Sequence, residues 1–157
     1  MKSKHQQGFT LIELLVVAVI VGILGTLVAM TYSGVQAKNR NSERQASINF
    51  TQSQLETYYA ENSKYPSLSQ LNDPAWRETN LKKLKDDIIK DPRWDKNSTC
   101  SKDNKVRFAD IPTEKCYSYQ VTTTDAAFCD NERSACVQYT LTASFEGGEK
   151  YVKTSLN

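Results

Sequence analysis

The chain has 157 residues, 20 Lys and Arg against 18 Asp and Glu, and a formal net charge of +2. So even a balance gives no electrostatic case for nucleic acid as a partner, and a single histidine, His5, leaves a nucleophile without a base elsewhere in the chain. Mean hydropathy is −0.57 although much of the 39% hydrophobic content falls in one stretch near the start, so the remainder is a polar head of modest size.

The first eight residues, MKSKHQQG, are short and polar, carry Lys2 and Lys4, and end in Gly8. Gly8 to Met30 then reads GFTLIELLVVAVIVGILGTLVAM. From Phe9 to Met30 the only formal charge is Glu13, and no other follows before Lys38. A helix over Phe9–Met30 rises about 33 Å, enough to cross a bilayer core. In a secretory signal the small-residue cut follows the apolar region. Here Gly8 precedes it, so a cut after Gly8 leaves the apolar helix on the mature protein. A carboxylate inside such a helix costs about 2.5–3.5 kcal/mol at its centre and less near its end. Glu13 is therefore either wet at the headgroup level or kept for a positive partner, and no Lys or Arg within the helix supplies one.

Gly8–Ala18 (GFTLIELLVVA) behind a short basic leader resembles the class III signal of type IV prepilins and pseudopilins, over about the first thirty residues. YYAENSKYPSL, Tyr58–Leu68, is similar to the helix end and first loop of many pilins. The resemblance implies that a prepilin peptidase cuts between Gly8 and Phe9 and that Phe9 becomes an N-methylated terminus. It also implies that Glu13 neutralises the terminal amine of a neighbouring subunit during self-assembly into a helical filament. An assembly ATPase and a platform protein are the indirect partners it brings. Many pilins carry a proline late in this helix. This chain has none before Pro66, so Gly22 and Gly25, with Gly34, are the helix-weakening residues, each costing up to about 1 kcal/mol relative to Ala. Flexibility of the core helix in a filament is expected around Gly22 and Gly25.

From Thr31 to Asn62 the pattern turns amphipathic. Val35, Ile48, Leu55 and Tyr59 fall at helical spacing with Phe50 and Tyr58 nearby, among Lys38, Arg40, Arg44, Gln45 and Glu56. One helix is expected from Thr10 to Glu61, its second half packed on the head with Tyr58 and Tyr59 in the core. Asn62-Ser63 and Tyr65-Pro66 end it. Asp73-Pro74 starts a second, short helix, expected over Pro74–Ile89 with Leu81, Leu84, Ile88 and Ile89 as its apolar stripe and Lys82, Lys83, Lys85, Asp86 and Asp87 on a solvated face.

Asp91 to Glu114 reads as loop, with a short strand at Lys105–Ala109. Asp91, Asp95, Asp103 and Asp110 do not match the spacing of a calcium loop and are read as turn residues. Asn97-Ser98-Thr99 fits the N-x-[ST] glycosylation pattern. Cys116–Thr124 has strand composition, Cys136–Glu146 alternates Val137, Tyr139, Leu141, Ala143 and Phe145 on one face, Gly147-Gly148 is a turn, and Tyr151–Leu156 is a last strand. The fold class is α+β: a long N-terminal helix on a small antiparallel sheet of three or four strands. The organisation is a leader over 1–8, a long helix over 9–62 with its apolar part at 9–30, and a head over 63–157.

Cys100, Cys116, Cys129 and Cys136 are four, an even number, which suggests disulfides and an oxidising outside location for the head. Four cysteines allow three pairings; Cys100–Cys116 with Cys129–Cys136 is the expected one. No C-x₂-C pair supports a zinc site, and no metal or cofactor is expected. The sequence lacks the G-x-S-x-G, H-E-x-x-H and phosphate-loop patterns, so no catalytic residue is assigned and the protein is expected not to be an enzyme. The resemblance implies a structural subunit of a type IV pilus, for adhesion, motility or DNA uptake. It is held in the cytoplasmic membrane as a precursor through 9–30 with its head outside, and carried on the cell surface once assembled. The alternatives are a pseudopilin of a type II secretion or competence system, and a membrane-anchored binding domain.

Overall fold

The computed structural model describes residues 9–95, 100 and 107–157, and the backbone alone of 29–31. Helix α1 spans Leu11–Asn62 without a break. No proline interrupts it, and the glycines within it have ordinary helical backbone. Two compact units divide the chain, Met1–Lys38 and Asn39–Asn157.

The first unit presents apolar side chains to solvent all round: Leu15 is 61% exposed, Val19 53% and Leu24 56%. A helix that is hydrophobic on every face is a membrane span or the core of something larger. Its most apolar 18-residue window has a mean hydropathy of 2.8, long and apolar enough to cross a bilayer.

In the second unit, α1 buries Arg44, Ile48, Thr51, Leu55 and Tyr58, alternate steps of four and three that keep one face inward. Val35, expected on this stripe, is exposed, whereas Arg44, read as part of the polar face, is fully buried. At Ser63 the backbone turns left-handed (φ 55°) and its N–H closes on the Tyr59 carbonyl at 2.7 Å, which stops the helix.

Two short helices follow where one longer helix was expected. Ser67 caps α2 (Leu68–Asn72) in a reciprocal box with Gln70. Asp73 caps α3 (Pro74–Asn80), accepting from Ala75 N–H at 3.0 Å, with Pro74 in the first position. Helix α3 ends at Asn80, well short of Ile89. Leu81 leaves helical geometry (φ −130°, ψ 55°), and Leu81, Leu84 and Ile89 reach the core from a run of turns.

The sheet has four strands in the order β1-β2-β3-β4: Phe108–Ala109, Tyr117–Thr122, Gln138–Ser144 and Lys150–Thr154. β2, β3 and β4 are antiparallel, with Tyr119 opposite Leu141 and Ala143 opposite Tyr151. β1 corrects the all-antiparallel expectation, because it runs parallel to β2. The reason lies outside the sheet. Asn72 holds β1 in place, its Oδ1 accepting from Arg107 N–H (2.9 Å) and Phe108 N–H (3.0 Å) while its Nδ2 donates to the Phe108 carbonyl (2.9 Å). An amide side chain thus completes the backbone bonding of a two-residue strand whose direction the preceding helix sets. Gly147 (φ 107°) and Gly148 (φ 91°) take positive backbone angles between β3 and β4, as the tight connection requires. Lys105, Asp103 and Asn97-Ser98-Thr99 lie outside the described residues.

Tyr117, Tyr119, Val121, Tyr139, Leu141 and Ala143 form the buried face of the sheet and share one core with Ile48, Leu55 and Tyr58 of α1. Three tyrosine hydroxyls inside this core are satisfied. Glu56 accepts from Tyr139 Oη at 2.6 Å and Tyr65 Oη at 2.8 Å, and Tyr119 Oη donates to the Pro66 carbonyl at 2.8 Å. Burial, together with the Glu56 carboxylate, pushes the Tyr65 and Tyr139 hydroxyls above the usual phenol range.

Candidate functional site

The start of α1 is built by two side chains. Thr10 is the residue before the helix, and Glu13 is its third residue. Thr10 N–H donates to Glu13 Oε2 at 2.9 Å, Thr10 Oγ1 donates to the same oxygen at 2.8 Å, and Glu13 N–H reaches Thr10 Oγ1 at 3.4 Å. This is a capping box, in which two N–H groups that a helix start leaves unpaired are satisfied reciprocally. A negative charge in the first turn also complements the helix dipole. Both bonds from Thr10 fall on Oε2, so neither occupies Oε1. Among the described residues no cation forms an ion pair with Glu13. Phe9, immediately before the cap, is 87% exposed, and Gly8 lies outside the described residues.

Gly22 and Gly25 sit inside α1 and are open on their outer side, since a Cβ at either would meet nothing within 4 Å. Neither strain nor packing within this chain calls for glycine at these two positions. What a missing side chain offers there is close approach by another helix.

In the head, the structure bonds Cys100 to Cys116 and Cys129 to Cys136, with Cα separations of 5.8 and 5.3 Å. The second bridge closes a loop that Asn131 ties to the chain after α1, its Nδ2 donating to the Tyr65 carbonyl at 2.7 Å. Of the acidic turn residues, Asp91 is buried against Arg44 and Asp95 pairs with Lys115. No group of three or more potential metal ligands is present among the described residues.

One cluster is absent from the sequence reading. Arg44 donates to Asp91 through Nε (2.7 Å) and Nη2 (3.0 Å), to Asn41 Oδ1 (2.8 Å), and to Glu146 (3.3 Å). Arg40 takes Glu146 as a two-point partner at 2.5 and 2.8 Å, and Asn41 bonds the Glu146 backbone through both its N–H and its carbonyl. Hydrogen bonds from Arg40, then Arg44, hold the Glu146 carboxyl down at about 2. Three side chains within little more than one turn of α1 thereby grip the β3–β4 connection and the 91 turn. The signal available in sequence was the step of four from Arg44 to Ile48, which sets the arginine on the buried face.

Comparison with known proteins finds a family match in the N-terminal segment. The family described as "Prokaryotic N-terminal methylation motif" matches residues 3–29. Among curated proteins, the chain is similar to "Type II secretion system core protein G" of Dickeya chrysanthemi, 39% identical over 68 residues, which is 43% of this chain and 44% of that one. The protein of the same name from Klebsiella michiganensis is 39% identical over 70 residues, 45% of this chain and 49% of that one. That of Escherichia coli (strain K12) is 35% identical over 68 residues, covering 43% and 47%. The chain thus spans a little under half the length of these curated relatives. No solved structure matches it significantly. The family match at residues 3–29 includes Gly8–Ala18, the stretch that carries the resemblance.

Proposed function

We propose that this chain is a pseudopilin, a filament subunit of a type II secretion system, whose role is mechanical and not catalytic. The observation that carries this reading is the similarity to core protein G from several genera. It favours the secretion filament over a surface pilus for adhesion, motility or DNA uptake.

In this reading the precursor waits in the cytoplasmic membrane, held by the apolar part of α1, with the disulfide-bonded head on the oxidising side. A prepilin peptidase cuts after Gly8, and Phe9 becomes an N-methylated terminus. Subunits then leave the bilayer under the action of an assembly ATPase and a platform protein. Their helices pack together, so the apolar side chains exposed in the single chain become a filament core. Moving from lipid to protein yields little hydrophobic free energy. Direction therefore comes from close packing, for which the open sides of Gly22 and Gly25 are suited, and from Glu13. Its Oε2 stays on Thr10 while Oε1 accepts the terminal amine of a neighbour. At about 4 Å and an effective dielectric near 20 that pair attracts by roughly 4 kcal/mol, against several kcal/mol of desolvation per ion. The pair sets register more than it adds net stability.

Deleting the gene in its own host tests the assignment. Export of secreted enzymes should stop, with the cargo retained in the periplasm, while surface filaments persist. Loss of surface pili with secretion intact would instead favour the pilus reading.

A further inference from the structure

Among its described residues the head exposes four large apolar side chains: Ile111 at 72%, Phe128 at 80%, Val152 at 48% and Leu156 at 75%. They are not scattered, because two lie at each edge of the sheet. Thr122 of β2 pairs with Gln138 of β3 on one side and bridges to Phe128 on the other. Phe128 therefore lies on the β1 side of the sheet, held there by the bond of its neighbour Cys129 to Cys136. Ile111 follows β1 by two residues. Val152 belongs to β4, the opposite edge. Leu156 comes just after β4, where Ser155 N–H has continued the ladder to the Tyr139 carbonyl at 3.0 Å.

The two edges differ in charge. On the β1 side a hollow of about 520 Å³ opens beside Leu68, Phe108 and Phe128, and its charged lining residues are Asp110 and Asp130, both acids. The same loop adds Asp125 and Glu132 against Arg133. Strand β4 carries Lys150 and Lys153 and no acid, with Glu149 just before it. Among the described residues none of Asp110, Asp130, Lys150 and Lys153 forms an ion pair. With β2 and β3 between them, the edges stand three strand spacings apart, about 14 Å, and cannot meet within one chain. Two different patches of opposite charge on opposite edges make a head-to-tail contact, which repeats from copy to copy as a filament requires.

We infer that the β4 edge of one copy docks on the β1 edge of a neighbouring copy. Val152 and Leu156 cover Phe128 and Ile111, while Lys150 and Lys153 face Asp110 and Asp130. The inference rests on the filament reading and adds a contact between heads that the apolar helix cannot specify. Burial of the four apolar side chains supplies the attraction. The charges decide which edge meets which, since two like edges repel.

The test has two readouts, both in cells carrying the whole assembly machinery, with filaments scored by electron microscopy. Photoactivatable benzoylphenylalanine at position 128 of the full chain should give a covalent dimer whose joined peptide lies within 149–157. Asp110→Lys alone and Lys150→Asp alone should each lower filament yield about tenfold, by setting like charges against each other. Both together should restore it, a rescue that a folding defect would not show. Asp110 and Lys150 are exposed, so the melting temperature of the head should stay unchanged in all three variants. Filaments with position 128 joined elsewhere, to another protein, or to nothing would overturn the contact and leave the filament reading standing. Full yield from both single variants, or a double variant that stays low, would do the same. Absence of filaments from the unmodified chain would remove both readings together.

Discussion

Glu13 and Arg44 are charged residues with opposite needs. Glu13 lies on an apolar segment, capped by its own Thr10 and with one oxygen left for a partner. Glu13→Ala removes that oxygen but leaves the peptide bond after Gly8 untouched. The variant should be cut normally by the peptidase and yield no filaments; a sheared fraction with wild-type filament yield would contradict this. Arg44, fully buried, is fully engaged inside one chain. Arg44→Ala leaves Asp91 charged and buried with no cation, and should destabilise the head by about 3–5 kcal/mol. Both tryptophans, Trp76 and Trp94, lie in the Asn39–Asn157 unit. Denaturant unfolding of the detergent-solubilised chain, followed by their fluorescence, therefore reports on the head alone. Glu146 adds a pH dependence. Its folded value, about 2, lies below the ordinary carboxylate value near 4.3. Its stabilisation is therefore complete above about pH 4.3 and is lost as pH falls through that range toward 2. The difference in stability between wild type and Glu146→Gln should shrink over that window and stay constant from pH 5 to 7.

At the scale of elements, what was legible followed from period and punctuation. The unbroken apolar and then amphipathic run gives α1 to within a residue or so at each end. Alternation around Tyr139, Leu141 and Ala143 gives β3, and two glycines give the connection to β4. What was not legible depends on partners distant in sequence. Arg44 looks like any solvated arginine until Asp91, 47 residues on, is placed beside it. Leu81, Leu84, Ile88 and Ile89 have nearly helical spacing, but core-facing turns separated by three or four residues produce the same pattern. The capping box of Ser67 with Gln70 was a local signal for α2 that went unread. β1 is a mixed case: a short strand was expected at Lys105–Ala109 and Phe108–Ala109 form one, but its parallel direction was not legible, because Asn72 supplies three hydrogen bonds to the backbone there. Asn72→Ala should cost about 1–3 kcal/mol and raise amide exchange at Arg107 and Phe108 selectively, leaving β2 and β3 protected. Equal exchange in both proteins would show that β1 holds without the amide.

On the whole-molecule scale the chain divides its labour. One unit is apolar on all sides and has no reason to stay alone in water. The other closes its core, pairs its described cysteines and buries the Arg44–Asp91 ion pair. In the proposed reading a precursor of this design is held in a membrane by the first unit and folds its second unit outside. In the proposed reading the step between precursor and subunit is the cut after Gly8, which creates the amine that Glu13 would pair with. The most direct measurement is the intact mass and N-terminal residue of the protein recovered from its own cells. The account predicts a chain beginning at N-methylated Phe9 with all four cysteines oxidised. A chain that retains Met1, or is cut elsewhere, would contradict it.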